Sequence, residues 1–371
     1  MSRTIAVIAM TKHGVEMARR LVRELPGSDL YYPDKFARQD EEKQGITLFS
    51  GAVRSLLPSL FQRYDGLILF LSLGVVVRLI APLLKDKKTD PAVVVIDERG
   101  EHAISVLSGH LGGANQLTRR VASMLDARPV ITTASDVQET IPVDLFGSQF
   151  GWELEDFERV TPVSAAVVNE ERVLIIQESG ETGWWTRDRP LPDHIQVVSS
   201  TREAREREFD AALVVTHRCL SPEEAGRFLQ NGVLYRPKVL VIGIGCNRGT
   251  ALEELEQVVT ETFAELNLSI KSVRNLATID LKKDEPGLVA LSQKYDWRVD
   301  AYSPAELNTV PLSNPSPTVY RYTGAYGVSE PAALLSSGAK KLLLPKKKSG
   351  NVTISVALVP HSPLKGVREY E

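Results

Sequence analysis

Short, unbroken apolar runs alternate with amphipathic stretches over the first third of the chain. Thr4–Ala9, Leu67–Leu71, Val93–Ile96 and Ala103–Leu107 are such runs, and they predict strands covered on both faces. Gly14–Leu25 sets Met17, Leu21 and Leu25 on one helical side and closes on Pro26-Gly27; Ala114, Leu117, Val121 and Leu125 recur at the same spacing. That alternation predicts a doubly wound or mixed sheet. The pattern restarts after Pro237 with a strand at Val239–Ile242, a glycine-rich turn, and a helix carrying Leu252, Leu255, Val259, Phe263 and Leu266 on one face. Further strands are expected at Leu276–Ile279, Leu342–Leu344 and Val352–Leu358, the last two flanking a Lys346-Lys347-Lys348 turn.

The intervening pattern is weaker. Strands are expected at Val173–Gln177 and Ala211–Thr216, and the charged run Arg202–Glu208 reads as a solvated helix face. Trp152, Trp184 and Trp185 either pack a small core or stack on a flat ligand. The expectation is an α/β protein of three domains: an N-terminal unit (1–136), a smaller middle segment (137–237) and a C-terminal unit (238–371). The outer two would hold largely parallel or mixed sheets.

Length and charge narrow the function. A chain of 371 residues exceeds one ordinary core. With 44 basic and 47 acidic residues, a net charge of -3 gives no reason to expect nucleic acid binding. Cys219 and Cys246 stand alone, so neither a disulfide framework nor a metal-ligand pair is expected, and a reducing cytoplasm fits. The first residues lack the pattern of a signal peptide. Leu67–Leu84 is long enough to span a membrane, but Gly74, Arg78 and Pro82 divide it into a strand and an amphipathic helix. No membrane partner is expected.

The chemistry concentrates where strands hand over to helices. Ser108-Gly109-His110-Leu111-Gly112-Gly113-Ala114-Asn115 is the densest group of small and polar residues in the chain. Such a junction presents backbone N–H groups and the positive helix end to an anion or a developing oxyanion. A second junction is Gly243-Ile244-Gly245-Cys246-Asn247-Arg248-Gly249-Thr250, with Thr250 as the N-cap. Its Gly-x-Gly-x-x-x-Gly spacing is not the dinucleotide fingerprint, so a carboxylate or phosphate cradle describes it better. A third runs from Gly327 through Ser329, the expected cap, to a stop at Gly338. Glu330 in it is either a first-turn acid or a ligand. Arg78 and Lys85 share a helical face, with Lys87 and Lys88 beyond them: either dipole compensation in solvent or a cationic ledge for a polycarboxylate. Three junctions plus separate cation clusters suit a large, multiply anionic ligand such as a modified tetrapyrrole.

Several strings make the chain recognisable. They are Gly74–Arg78, Leu84–Asp97, Leu107–Asn115, Gly243–Thr250, Ala277–Lys282 and Gly327–Ala333. Together they resemble the cobalt-precorrin-5A hydrolase family (CbiG) of anaerobic cobalamin biosynthesis. The glycine-rich opening of the last domain also resembles a small stand-alone protein of the aerobic route. The resemblance implies opening of the ring A δ-lactone of cobalt-precorrin-5A, with release of acetaldehyde, to give cobalt-precorrin-5B. Cobalt would arrive in the substrate, so no cofactor is implied. Within that reaction His110 would serve as base, and the N–H groups of Gly112, Gly113 and Ala114 would hold the oxyanion. Ser108 is a weaker nucleophile candidate, and Asp90, Asp97 and Glu330 are candidates for proton transfer. Substrate binding would fall to Arg78, Lys85, Lys88, Gly109, Asn115, Gly245, Cys246, Asn247, Arg248, Gly249, Thr250 and Gly327. The alternative is a non-catalytic corrinoid carrier that passes an intermediate to a neighbouring methyltransferase of the pathway. A nucleotide enzyme built on Gly243–Gly249 is the remote rival.

Overall fold

The computed structural model describes residues 5–86 and 88–361; Thr4, and Lys87 of the cationic cluster, lie outside them. Among the described residues there are three sheets, and the fold is α/β. The chain divides into two compact units at Leu145/Phe146.

The described residues of the first unit form seven strands: β1 (Ile5–Ala9), β2 (Ser28–Pro33), β3 (Thr47–Phe49), β4 (Gly66–Phe70), β5 (Ala92–Ile96), β6 (His102–Leu107) and β7 (Arg128–Val130). Their order is β3-β2-β1-β4-β5-β6-β7. The first five run parallel; β6 returns antiparallel to β5, and β7 follows β6. Strand neighbours point to opposite faces, which is why the runs are apolar throughout. Val7, Ala9, Ile68 and Phe70 meet the helices Lys12–Glu24 and Ala114–Leu125. Ala6, Ile8, Leu67 and Leu69 meet the helices Val53–Arg63 and Leu73–Ile80. The first helix begins two residues before the expected Gly14, because the Thr11 hydroxyl accepts the Gly14 N–H at 3.1 Å. The reversal at β6 has the larger consequence: it sets the turn after Leu107 beside Asp90, at the amino end of β5.

The second unit holds two sheets. The middle one has β8 (Glu153–Leu154), β9 (Val173–Gln177), β10 (Ile195–Val198), β11 (Ala211–Val215) and β12 (Gly232–Arg236), ordered β10-β9-β11-β12-β8 and parallel apart from β8. The other has β13 (Leu240–Cys246), β14 (Val273–Ile279), β15 (Arg298–Tyr302), β16 (Leu342–Ser349) and β17 (Val352–Leu358), ordered β15-β14-β13-β17-β16. Here β13, β14 and β15 are parallel, and the hairpin β16–β17 pairs antiparallel to β13.

Two local expectations change, and a third is decided between its alternatives. Lys346-Lys347-Lys348 lies inside the edge strand β16, and the hairpin turns at Gly350 and Asn351 instead, where Gly350 takes φ 54°. The charged run is helical only at its start, where the helix Thr201–Ala204 covers residues 202–204. The tryptophans belong to packing: Trp152 stands edge-on to Phe146 at 5.4 Å and donates to Glu181, while Trp184 donates to Gln177. Among the described residues no helix is long and apolar enough to cross a membrane.

Candidate active site

His110 sits in the turn between β6 and the helix Ala114–Leu125, and its ring is held from both sides by carboxylates. Nε2 lies 3.0 Å from Asp136, and Nδ1 lies 3.0 Å from one oxygen of Asp144 and 3.2 Å from the other. Ser135 Oγ stands 3.1 Å from Nε2. A ring that faces a carboxylate at each nitrogen satisfies both only by donating from both, which favours the imidazolium. The hydrogen bond to Asp144, and then the charges of Asp144 and Asp136, raise the His110 pKa against the opposing effect of burial. Asp136 moves the other way. Burial opposes its ionisation, but Arg119 and His110 together hold its carboxyl below the ordinary range. With side chains only 16–19 % exposed, the three groups are sheltered yet still reachable from solvent.

That geometry corrects the expected roles. With a carboxylate at each nitrogen, His110 is arranged to donate a proton rather than to accept one. The oxyanion donors are spent inside the turn: Gly113 N–H bonds His110 O at 2.8 Å, and Ala114 N–H bonds Ser108 O at 3.0 Å. The glycines serve packing rather than ligand approach. A Cβ on Gly112 would lie 2.3 Å from Ser108 Cβ, and one on Gly109 would lie 2.8 Å from Asn115 Oδ1. Ser108 takes the left-handed conformation (φ 56°) and donates to Asp90 O at 2.9 Å, so its hydroxyl is spent on a backbone carbonyl. Asn115, 4 % exposed, accepts from Ser105 and donates to Thr133 and Asp136. It is a brace, not a substrate ligand.

Asp90 spends its carboxylate on the Lys85 N–H, at 3.0 and 3.2 Å, and Asp97 caps the amides of Arg99, Glu101 and His102. Both are loop fixtures. Arg78, Lys85 and Lys88 are exposed.

In the second unit the structure brings two of the glycine junctions together. A Cβ on Gly243 would lie 1.9 Å from Ser329 O, and one on Gly245 would meet Val328 and Thr353. These glycines let the helix Ser329–Ser337 press on β13. The cradle between Cys246 and Thr250 is filled from within. Glu285, 6 % exposed, accepts the Gly249 N–H and pairs with Lys282 at 3.2 Å. The Gly249 bond, with the charges of Lys282 and exposed Arg248, keeps the Glu285 pKa low. A protein carboxylate thus takes the place expected for a ligand's. Asn247 is tied to Asn351, and burial pushes the Cys246 thiol up, away from thiolate chemistry. Thr250 bonds Asn247 O, and the cap position falls to Ala251. Ser329 is not the cap of its helix either: Val328 holds that position, and Ser329 Oγ meets Ser355. Gly327 packs beneath Leu312, and Glu330 accepts the Lys346 N–H. Gly338 ends the helix in the left-handed conformation as expected.

Asp136, Asp144, Ser135, Thr133 and Arg119 are the residues that sequence reasoning missed. A signal existed for part of the set. Thr132-Thr133-Ala134-Ser135-Asp136 follows β7 as a polar strand-to-helix junction of the same kind as Ser108–Asn115. Asp144 carries no such mark.

Comparison with known proteins finds three family models along the chain. Residues 55–136 match the family model for the cobalamin synthesis G N-terminal region, 141–237 the cobalamin biosynthesis central region, and 240–357 the cobalamin synthesis G C-terminus. A protein of Priestia megaterium named cobalt-precorrin-5A hydrolase is 63% identical over 356 residues, covering 96% of this chain and 95% of that one. A protein of the same name from Salmonella typhimurium is 34% identical, covering 96% and 97%. Protein CobE of a Sinorhizobium species is 33% identical over 121 residues, 32% of this chain and 79% of that protein. Identity sustained along both hydrolases from end to end means that the chain belongs to the cobalt-precorrin-5A hydrolase (CbiG) family.

Proposed function

We propose that this protein hydrolyses cobalt-precorrin-5A, opening its ring A δ-lactone and releasing acetaldehyde to leave cobalt-precorrin-5B. The observation that carries the activity is the 63% identity over 96% of the chain to a protein of that name. Its setting is the cytoplasm, where isolated thiols such as Cys219 and Cys246 stay reduced. The substrate brings its own cobalt.

The His110 cluster supports a role for this chain's residues. Water adds to the lactone carbonyl, giving up one proton to a carboxylate beside His110, and the acyl carbon–oxygen bond breaks. The ring alcohol's oxygen leaves with the electron pair and takes a proton. An imidazolium bracketed by Asp136 and Asp144 supplies both positive charge for the oxyanion and that proton. Acetaldehyde then departs when the freed alcohol loses its proton and the ring carbon keeps the electrons of the broken carbon–carbon bond. The carboxylates already touching His110 are acceptors for that second proton.

The test is direct. Purified protein with cobalt-precorrin-5A should release one acetaldehyde per corrinoid, read by a coupled dehydrogenase assay. Corrinoid binding without acetaldehyde would make the protein a carrier and reject the hydrolase.

A further inference from the structure

The helix Leu73–Ile80 buries Val76 and Ile80 against the first sheet but leaves Leu73, Val75 and Val77 40–46 % exposed. At 100° per residue, Gly74 and Arg78 lie along the middle of the outward face, with Val75 and Val77 on its two flanks. A Cβ placed on Gly74 would have nothing within 4 Å, and its φ is not positive. Neither turn geometry nor close packing calls for glycine there, although glycine weakens a helix. The result is an open trough floored by backbone, walled by two valines and ended by a guanidinium. Arg78 has no side-chain partner among the described residues. The strip continues through Leu84, 45 % exposed, to Lys85. Lys85 is fastened to the His110 turn, since its N–H bonds the Asp90 carboxylate and Asp90 O accepts from Ser108.

We infer that this trough seats the flat face of the corrinoid, with Arg78 and Lys85 taking carboxylate arms and the lactone edge directed toward His110. The inference rests on the proposed reaction for the identity of the occupant. A flat apolar ring fringed by carboxylates is complementary to an apolar strip that carries two exposed cations. Soluble proteins seldom leave such a strip uncovered without a binding role.

Gly74→Leu fills the trough, and Gly74→Ala fills it partly while favouring the helix. The expected result is graded. Gly74→Leu raises KM and weakens corrinoid binding about tenfold, the loss of roughly 50 Å2 of apolar contact. Gly74→Ala has a smaller effect with a melting temperature no lower than the parent's. Arg78→Gln raises KM at nearly constant kcat, and its effect shrinks at high salt. Unchanged KM in all three variants of an active enzyme overturns the trough while leaving the hydrolase intact. If Val77→Glu instead turns a dimer into monomers in light scattering and leaves KM unchanged, the face joins two copies and the inference fails. A parent protein that binds corrinoid by absorbance but releases no acetaldehyde rejects the reaction alone, and the binding arm still judges the trough.

Discussion

Ser108–Asn115 and Gly243–Thr250 have nearly the same outward form: a strand, several small residues, then a helix. Their interiors differ. In the first, backbone amides close the turn on itself, and the proposed chemistry falls to His110 with two carboxylates that arrive from residues 136 and 144. In the second, Gly243 and Gly245 serve helix contact, and Glu285 fills the cradle with a carboxylate of the protein's own. Glycine-rich turns announce close approach. They do not announce what approaches: a side chain, a helix or a ligand.

Breaking each turn should separate chemistry from architecture. The largest effect belongs to His110→Ala, which should lower acetaldehyde release about 100- to 10,000-fold, the usual contribution of a general acid or base. Steady-state assays with retained corrinoid binding would check it. The sign of the pH profile sharpens the point. His110 has a raised pKa, so activity that needs the imidazolium persists below that pKa and falls as pH climbs through it. A profile rising through the same range would restore the base role. Stability follows the same direction. The contribution of the His110 cluster is complete below the ordinary histidine value near 6.5 and is lost as pH rises through the folded pKa.

Next comes Gly112→Ala, whose Cβ would meet Ser108 Cβ at 2.3 Å. It should cost about 3 kcal/mol in denaturant titrations and displace His110, so that stability and kcat fall together. Glu285→Ala is the counterpart in the second turn. Leaving Lys282 and the Gly249 amide without their partner should cost ~2 kcal/mol, with kcat unchanged once the variant is folded. A fall in kcat without loss of stability would mean that the second cradle takes part in the reaction.

The fold was legible because burial on both sides of a strand leaves a continuous apolar run. Leu67–Leu71 and Val93–Ile96 fall within one residue of β4 and β5, and Ala114 to Leu125 are the helix ends themselves. His110 stood out because it interrupts small residues at a junction. Its partners did not, because Asp136 and Asp144 lie 26 and 34 residues away and tertiary contact leaves no periodic trace. Glu285 was hidden for the same reason: it reaches Gly249 across 36 positions. The lysines of β16 misled by composition, since three consecutive charges suggest a turn.

Those lysines have a consequence for solubility. β16 is the last strand of its sheet, so one row of its amides and carbonyls lacks a neighbouring strand in that sheet. Lys346 and Lys348 project to one side of the ribbon and Lys347, paired with Glu265, to the other. A second molecule that tried to extend the sheet there would bring like charges together along the face that carries Lys346 and Lys348. The border is left open yet fenced by repulsion, a common defence against edge-to-edge aggregation.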